Sequence, residues 1–263
     1  MLTSQRRNKI KEILLKEKSV KVNDLVKLFG VSEETIRRDL GALEKQNLVK
    51  RSYGGAILTD ELQLVMTNIP TVQQRKLLFF KEKDAIGKLA ASLVSEKQIV
   101  ILDAGSTTWS VARYLKDFSE ITVVSNSIDI AQELGQSEGA AVFIVGGKLS
   151  KRSMSLVGPQ AEIEIKKYNA HIVFLGTTAI STSRGEFLSS DIYEAELKKV
   201  MAKSAQTKVV VADHSKFDKH GLIAFSSFED IDILITSDLV DPDILKQIEN
   251  KGIKIMTCHV DID

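Results

Sequence analysis

Two stretches of this 263-residue chain have residue types and spacing that could do chemistry. One is Asp103-Ala104-Gly105-Ser106-Thr107-Thr108, directly after the apolar run Ile99-Val100-Ile101-Leu102. The glycine lets the backbone come close to a ligand. Three hydroxyls beside the free N–H groups of a starting helix can then hold an anion, most naturally a phosphate. The other is Ser32-Glu33-Glu34-Thr35-Ile36-Arg37-Arg38-Asp39-Leu40. Ser32 carries the acceptor that a helix N-cap needs. Ile36, Leu40 and Leu43 recur at helical spacing and can be buried, which leaves Thr35, Arg37 and Arg38 wet. Arginine pairs bidentately with guanine edges or with phosphates, so the chemistry expected of this helix is the reading of DNA.

The flanking residues must position that helix. Ile10, Ile13 and Leu14 form one helical stripe, and Leu25, Val26, Leu28 and Phe29 a second. Gly30 follows, where a left-handed residue would end a helix. Helix, helix, glycine turn and Ser-capped basic helix is the order of a helix-turn-helix. Leu48 to Arg51 reads as a strand and Gly54-Gly55 as a tight turn, the makings of a wing whose Lys50 and Arg51 face phosphates. Residues 1–57 hold 13 Lys or Arg and 7 Asp or Glu, a net of +6, while the remainder nets −5. A nearly neutral whole thus hides a basic head suited to a polyanion.

The anion loop needs a different frame. Residues 58–74 read as a linker, and a helix is expected across 71–95 from the stripe Ala85, Ile86, Leu89, Ala90, Leu93 and Val94. Short apolar runs at 99–102, 121–124, 141–145, 172–175, 208–212, 233–236 and 253–256 then alternate with helical segments. That pattern predicts a mostly parallel α/β domain over 75–263, with ligands expected beyond the carboxyl ends of its strands. The strand tips carry Ser125-Asn126-Ser127, Gly146-Gly147-Lys148, Gly176-Thr177-Thr178 and Asp213-His214-Ser215-Lys216-Phe217. Together with residues 103–108 they point to a pocket for a polar, anionic small molecule.

Several classes are set aside. A single cysteine, Cys258, excludes an internal disulfide, suits a reducing cytosol and is expected to fill core. No apolar run reaches membrane-spanning length, and no signal peptide is expected. His171, His214, His220 and His259 lack metal-ligand spacing, so neither metal nor cofactor is expected. Trp109 reads as helix packing.

The chain resembles the DeoR family of bacterial transcriptional regulators along nearly its whole length. In the head the resemblance lies in Arg6-Arg7, Thr35-Ile36-Arg37-Arg38-Asp39-Leu40 and Arg51-Ser52-Tyr53-Gly54-Gly55. In the second domain it lies in Leu102-Asp103-Ala104-Gly105-Ser106-Thr107-Thr108, Val124-Ser125-Asn126-Ser127, Glu194-Ala195-Glu196-Leu197-Lys198 and Ala212-Asp213-His214-Ser215-Lys216-Phe217. It implies a winged helix-turn-helix followed by a sensor domain related to sugar-phosphate isomerases. It also implies a cytoplasmic repressor of a carbohydrate operon, a homodimer or homotetramer on operator DNA, and a phosphorylated sugar or polyol as effector. On that resemblance Gly105–Thr108 and Lys216 hold the phosphate, while Asp103, Asn126, Lys148, Glu194 and Lys198 face the sugar. The rival reading is an isomerase. Ribose-5-phosphate isomerases carry an acidic Asp-Gly-Ala-Asp-Glu segment where this chain has Leu175-Gly176-Thr177-Thr178-Ala179, so no catalytic residue is assigned.

Overall fold

A computed structural model describes residues 3–17, 19–45, 49–58 and 70–261. The chain divides into two compact units, Met1–Ile69 and Pro70–Asp263. Leu48 and linker residues 59–69 lie outside the described residues.

The first unit contains α1 (Thr3–Glu17), β1 (Ser19–Lys21), α2 (Val22–Phe29), α3 (Glu33–Lys45), β2 (Val49–Ser52) and β3 (Gly55–Leu58). Ile10, Leu14, Leu25, Ile36, Leu40 and Leu43 are buried and form its core. Gly30 stops α2 at φ 62°, and its N–H donates to the Val26 carbonyl. Leu28, expected in the second stripe, is 60% exposed. Val22 and Leu25 are the buried residues of this two-turn helix. The three strands pair antiparallel in the order β1-β3-β2. At Gly55 the wing passes so near β1 that a Cβ would stand 2.1 Å from the Val20 carbonyl oxygen, so glycine is required there. Asp39, fully buried on α3, accepts from Arg6 at 2.6 Å and Arg7 at 2.7 Å. The Arg-Arg pair of α1 therefore braces the first helix against the third.

The second unit is built on seven strands: β4 (Ile99–Leu102), β5 (Ile121–Ser125), β6 (Ala140–Ile144), β9 (Ala170–Gly176), β12 (Ala205–Val211), β14 (Ile233–Ser237) and β15 (Lys254–Cys258). All neighbouring pairs are parallel, in the order β15-β14-β12-β9-β4-β5-β6. Apolar clusters lie on both faces, which is why the strands read as continuous apolar runs. Trp109 and Cys258 are partly buried against one of them. The chain steps outward from β4 through β5 and β6, then returns to the other flank of β4 as β9. The carboxyl ends of β4 and β9 therefore flank the switch point of the sheet.

The expected helix over 71–95 is instead two, α4 (Val72–Leu77) and α5 (Phe80–Ala91). Phe79 adopts a left-handed φ of 54° between them. The buried Lys83 ammonium donates to the Arg75 carbonyl, 2.6 Å away, and to the Leu78 carbonyl, closing α4 from below. The apolar stripe that suggested one helix lies in α5 and the residues just after it, so it held no information about α4. Sequence reading also missed the hairpin β7 (Lys148–Ser150) and β8 (Ser155–Val157). It missed the antiparallel sheet β10 (Ala179–Ser181), β11 (Glu186–Ser189) and β13 (Ile223–Ser227) as well. Phe187 anchors that sheet, 5.0 Å from the Phe228 ring centre and 6.2 Å from that of Phe225. Among the described residues no helix is long and apolar enough to cross a membrane.

Candidate functional site

At the switch point lies a narrow cleft, open to solvent. Its walls are the loop after β4 (Ala104, Gly105, Ser106, Thr107), the loop after β9 (Gly176, Thr177, Thr178), Glu194 and Lys198 of α9 (Ile192–Lys203), Lys216, and Arg75 of α4. Ser106 and Thr107 open α6 (Ser106–Leu115), so their hydroxyls stand beside the free N–H groups of that helix's first turn.

The loops are locked from behind. Asp103 is buried, accepts from the Gly176 N–H at 3.0 Å and pairs with the Lys198 ammonium. Lys198 also donates to the Gly176 carbonyl at 2.9 Å. Burial pushes the Asp103 carboxyl above its ordinary pKa, and Lys198 opposes this. Asn126 accepts from the Ala104 N–H at 3.0 Å and donates to the Leu156 carbonyl at 3.2 Å. Thr108, fully buried, donates to the Gly105 carbonyl at 3.1 Å. Asp103, Asn126 and Thr108 thus shape the loop from beneath rather than line the cleft. Lys148 is exposed on β7, 4.9 Å over the Tyr193 ring, and stands outside the lining as well.

The cationic side is more crowded than the motifs suggested. Lys216 and Lys83 reach one carboxylate, Asp213, at 3.8 and 3.6 Å. Burial draws the Lys83 ammonium below its ordinary pKa, and Asp213 opposes this. Arg75 brings a guanidinium whose Nε is buried without a hydrogen-bond partner among the described residues. Burial draws Arg75 below its ordinary pKa too, with Glu194 and Asp103 opposing. Arg75, Lys83, Lys198 and Lys216 face three carboxylates here, Asp103, Asp213 and Glu194. The surplus is positive. A cleft with spare N–H donors, hydroxyls and a cationic surplus can hold a phosphate. Sequence reading missed Arg75, which lies in no motif and precedes the first strand of the sheet. Among the described residues no three His, Cys, Asp or Glu side chains gather as a metal site.

In the first unit, Ser32 caps α3 by accepting from the Thr35 N–H at 3.3 Å, and its hydroxyl also bonds the Thr35 hydroxyl at 2.8 Å. Arg37 pairs with Glu33 at 2.6 Å and Arg38 with Glu34 at 3.3 Å, all exposed. Such one-turn surface pairs are weak, so both guanidinium groups can exchange a carboxylate for a phosphate or base edge. On the wing Lys50 is exposed, and the Arg51 N–H donates to Glu44 at 3.1 Å.

Comparison with known proteins agrees in both halves. Residues 6–61 match the family described as DeoR-like helix-turn-helix domain, and residues 79–238 match the DeoR C terminal sensor domain. The chain is 35% identical to the HTH-type transcriptional regulator YulB of Bacillus subtilis, over 97% of this chain and 96% of that one. It is 28% identical to the glycerol-3-phosphate regulon repressor of Escherichia coli, over 98% and 100%. Ribose 5-phosphate isomerase A of Methanocaldococcus jannaschii is similar at 17% identity and a TM-score of 0.38, over 51% of this chain and 53% of that one. A likeness that slight bears on neither fold nor activity.

Proposed function

Because this chain belongs to the DeoR family, we propose that it represses a carbohydrate operon by binding operator DNA through α3 and the wing, and that a phosphorylated sugar or polyol relieves it. The observation that carries the effector half is the cationic cleft at the switch point of the sheet. The phosphate sits against Ser106, Thr107 and Lys216, and Glu194 and Lys198 face the sugar hydroxyls. Asp103, Asn126 and Thr108 hold the loops that make the site. In the head, Thr35, Arg37 and Arg38 read bases or phosphates, Ser32 sets the helix start, and Lys50 and Arg51 grip the backbone beside the groove.

The protein acts in the cytoplasm as a homodimer or homotetramer, since two-fold pairing gives two reading helices a palindromic target. A monomeric mass by sedimentation, with and without operator, would contradict this. No turnover is proposed. Aldose–ketose isomerisation needs a carboxylate free to move a proton, and Asp103 is tied to Lys198 and Gly176. Glu194 remains as a lining carboxylate, so the isomerase reading stays open to a direct check: incubation with ribose 5-phosphate followed by NMR.

A thermal-shift screen tests the whole. Sugar phosphates are compared with their unphosphorylated parents, and any stabilising compound is added to a DNA-binding assay. A compound that binds only the native state raises the melting temperature. The expected hit is phosphorylated and changes operator affinity. Stabilisation by parent sugars alone would refute the reading.

A further inference from the structure

We propose that Arg75 is the phosphate ligand through which the effector governs α4, the first element of the second unit, and that α4 relays occupancy of the cleft to the head. This rests on the reading that the cleft takes a phosphorylated effector.

Arg75 differs from the rest of the lining by its place in the chain. The other walls come from strand-tip loops, α9 and the short helical turn holding Lys216, all fixed to the sheet. Arg75 comes from α4, which begins two residues after Pro70 and so directly follows the linker from the head.

Its donor is unspent. A guanidinium has five N–H donors in a fixed fork. Among the described residues the buried Arg75 Nε has no acceptor, a costly state that a bound phosphate oxygen would relieve.

The position of α4 is set by polar contacts more than by a buried apolar face, Lys76 also lying 4.2 Å over the Trp109 ring. The helix has six residues, too short to be stable alone, and Val72 is its buried residue. Polar ties hold it: the Val72 N–H to the Arg152 carbonyl at 2.8 Å, Gln73 and Lys76 to Asp129 at 3.1 Å, and Lys83 to its last carbonyls. The left-handed Phe79 breaks it from α5. An element placed mainly by polar ties is one whose placement further polar bonds can bias. A phosphate shared by Arg75, Ser106, Thr107 and Lys216 adds charge-assisted bonds to α4 only when the cleft is filled. That is the differential interaction a ligand needs to shift an equilibrium.

The experiment uses the full chain, its operator fragment, and Arg75→Gln and Arg75→Lys. Glycerol 3-phosphate and a set of hexose 6-phosphates are titrated by calorimetry. Operator affinity is then measured without ligand and at saturating ligand. Arg75→Gln is expected to bind the phosphorylated ligand about tenfold to a hundredfold more weakly, the range for losing a charge-assisted bond. Arg75→Lys, which keeps the charge and loses the fork, falls between. At saturation, the ratio of operator affinities without and with ligand is expected to shrink in Arg75→Gln. Wild-type ligand affinity in Arg75→Gln would overturn the assignment as ligand. Weaker binding with an undiminished ratio at saturation would overturn the relay. If the wild type itself binds none of these compounds, the functional reading falls and the proposal with it, an outcome distinct from the other two.

Discussion

Lys216 and Lys83 share the single carboxylate of Asp213, so an incoming phosphate finds a lysine incompletely neutralised. Removing Lys216 as Lys216→Ala should weaken a phosphorylated effector by about 1.5–3 kcal/mol and its unphosphorylated parent hardly at all, the range for hydrogen bonds to charged groups. Ser106→Ala removes one neutral hydroxyl and should cost about 0.5–1.5 kcal/mol. Calorimetry with both ligands on both variants separates the effects, and equal losses for sugar and sugar phosphate would mean that the phosphate lies elsewhere. Cys258 gives a second test. Burial pushes its thiol up to about 11, and its sulfur donates to the Thr236 carbonyl at 3.4 Å. Only about a thousandth is ionised at pH 8, so a thiol reagent should react slowly and accelerate about tenfold per pH unit up to that value. A rate at pH 8 matching a free cysteine would contradict the burial. The loop 104–107 and Lys216 were legible because each follows an apolar strand in one short motif. Asp103 and Asn126 have the residue types of ligands, but their partners are backbone groups of other loops, which no motif spells out. Arg75 reaches the cleft only because α4 is tied to Arg152 and Asp129, far along the chain, and no local pattern encodes that.

At the scale of the element, α3 serves two masters. One face carries Ile36, Leu40 and Asp39 inward, and the other carries Arg37 and Arg38 outward. Asp39→Ala would leave the Arg6 guanidinium buried without its carboxylate, which typically costs about 3–5 kcal/mol. The head should then melt well below the second unit, visible as a separate early transition by calorimetry. A single unshifted transition would mean that the brace contributes little. Arg37→Ala leaves the fold alone and should weaken operator binding by about 1–3 kcal/mol while sparing random DNA if the residue reads a base. Equal loss on both would make it a phosphate contact. The helices of the head were legible because helical spacing, cap and glycine stop agree with one another, whereas the three-residue β1 and the four-residue β3 carried no strand signal. The parallel strands were legible because burial on both faces makes them continuous apolar runs. The β10-β11-β13 sheet was not, since its strands have three to five residues and β13 joins from far along the chain. The break at Phe79 was hidden because it depends on Lys83, a buried cation that sequence patterns place on the surface.

At the scale of the whole molecule, a basic head of net +6 and an acidic remainder of net −5 divide the work between DNA and effector. Thermodynamics then constrains them whatever path joins them. If effector changes operator affinity by some factor, operator must change effector affinity by the same factor, typically about 5–150-fold or 1–3 kcal/mol. The sign follows from repression relieved by ligand: each should weaken the other. Two titrations measure this, effector into free protein against effector into the protein–operator complex, and operator into protein with and without saturating effector. Both must be run at one salt concentration, because neutralised DNA phosphates make the operator constant fall steeply with salt. Equal factors of the same sign would show that the cleft and α3 bias one equilibrium. Mutual tightening would make the protein an activator or a co-repressed regulator. Unequal factors would show that effector acts on assembly instead, since a change in the number of chains on the operator breaks the simple two-ligand cycle. Sedimentation of the four mixtures would then reveal that change directly.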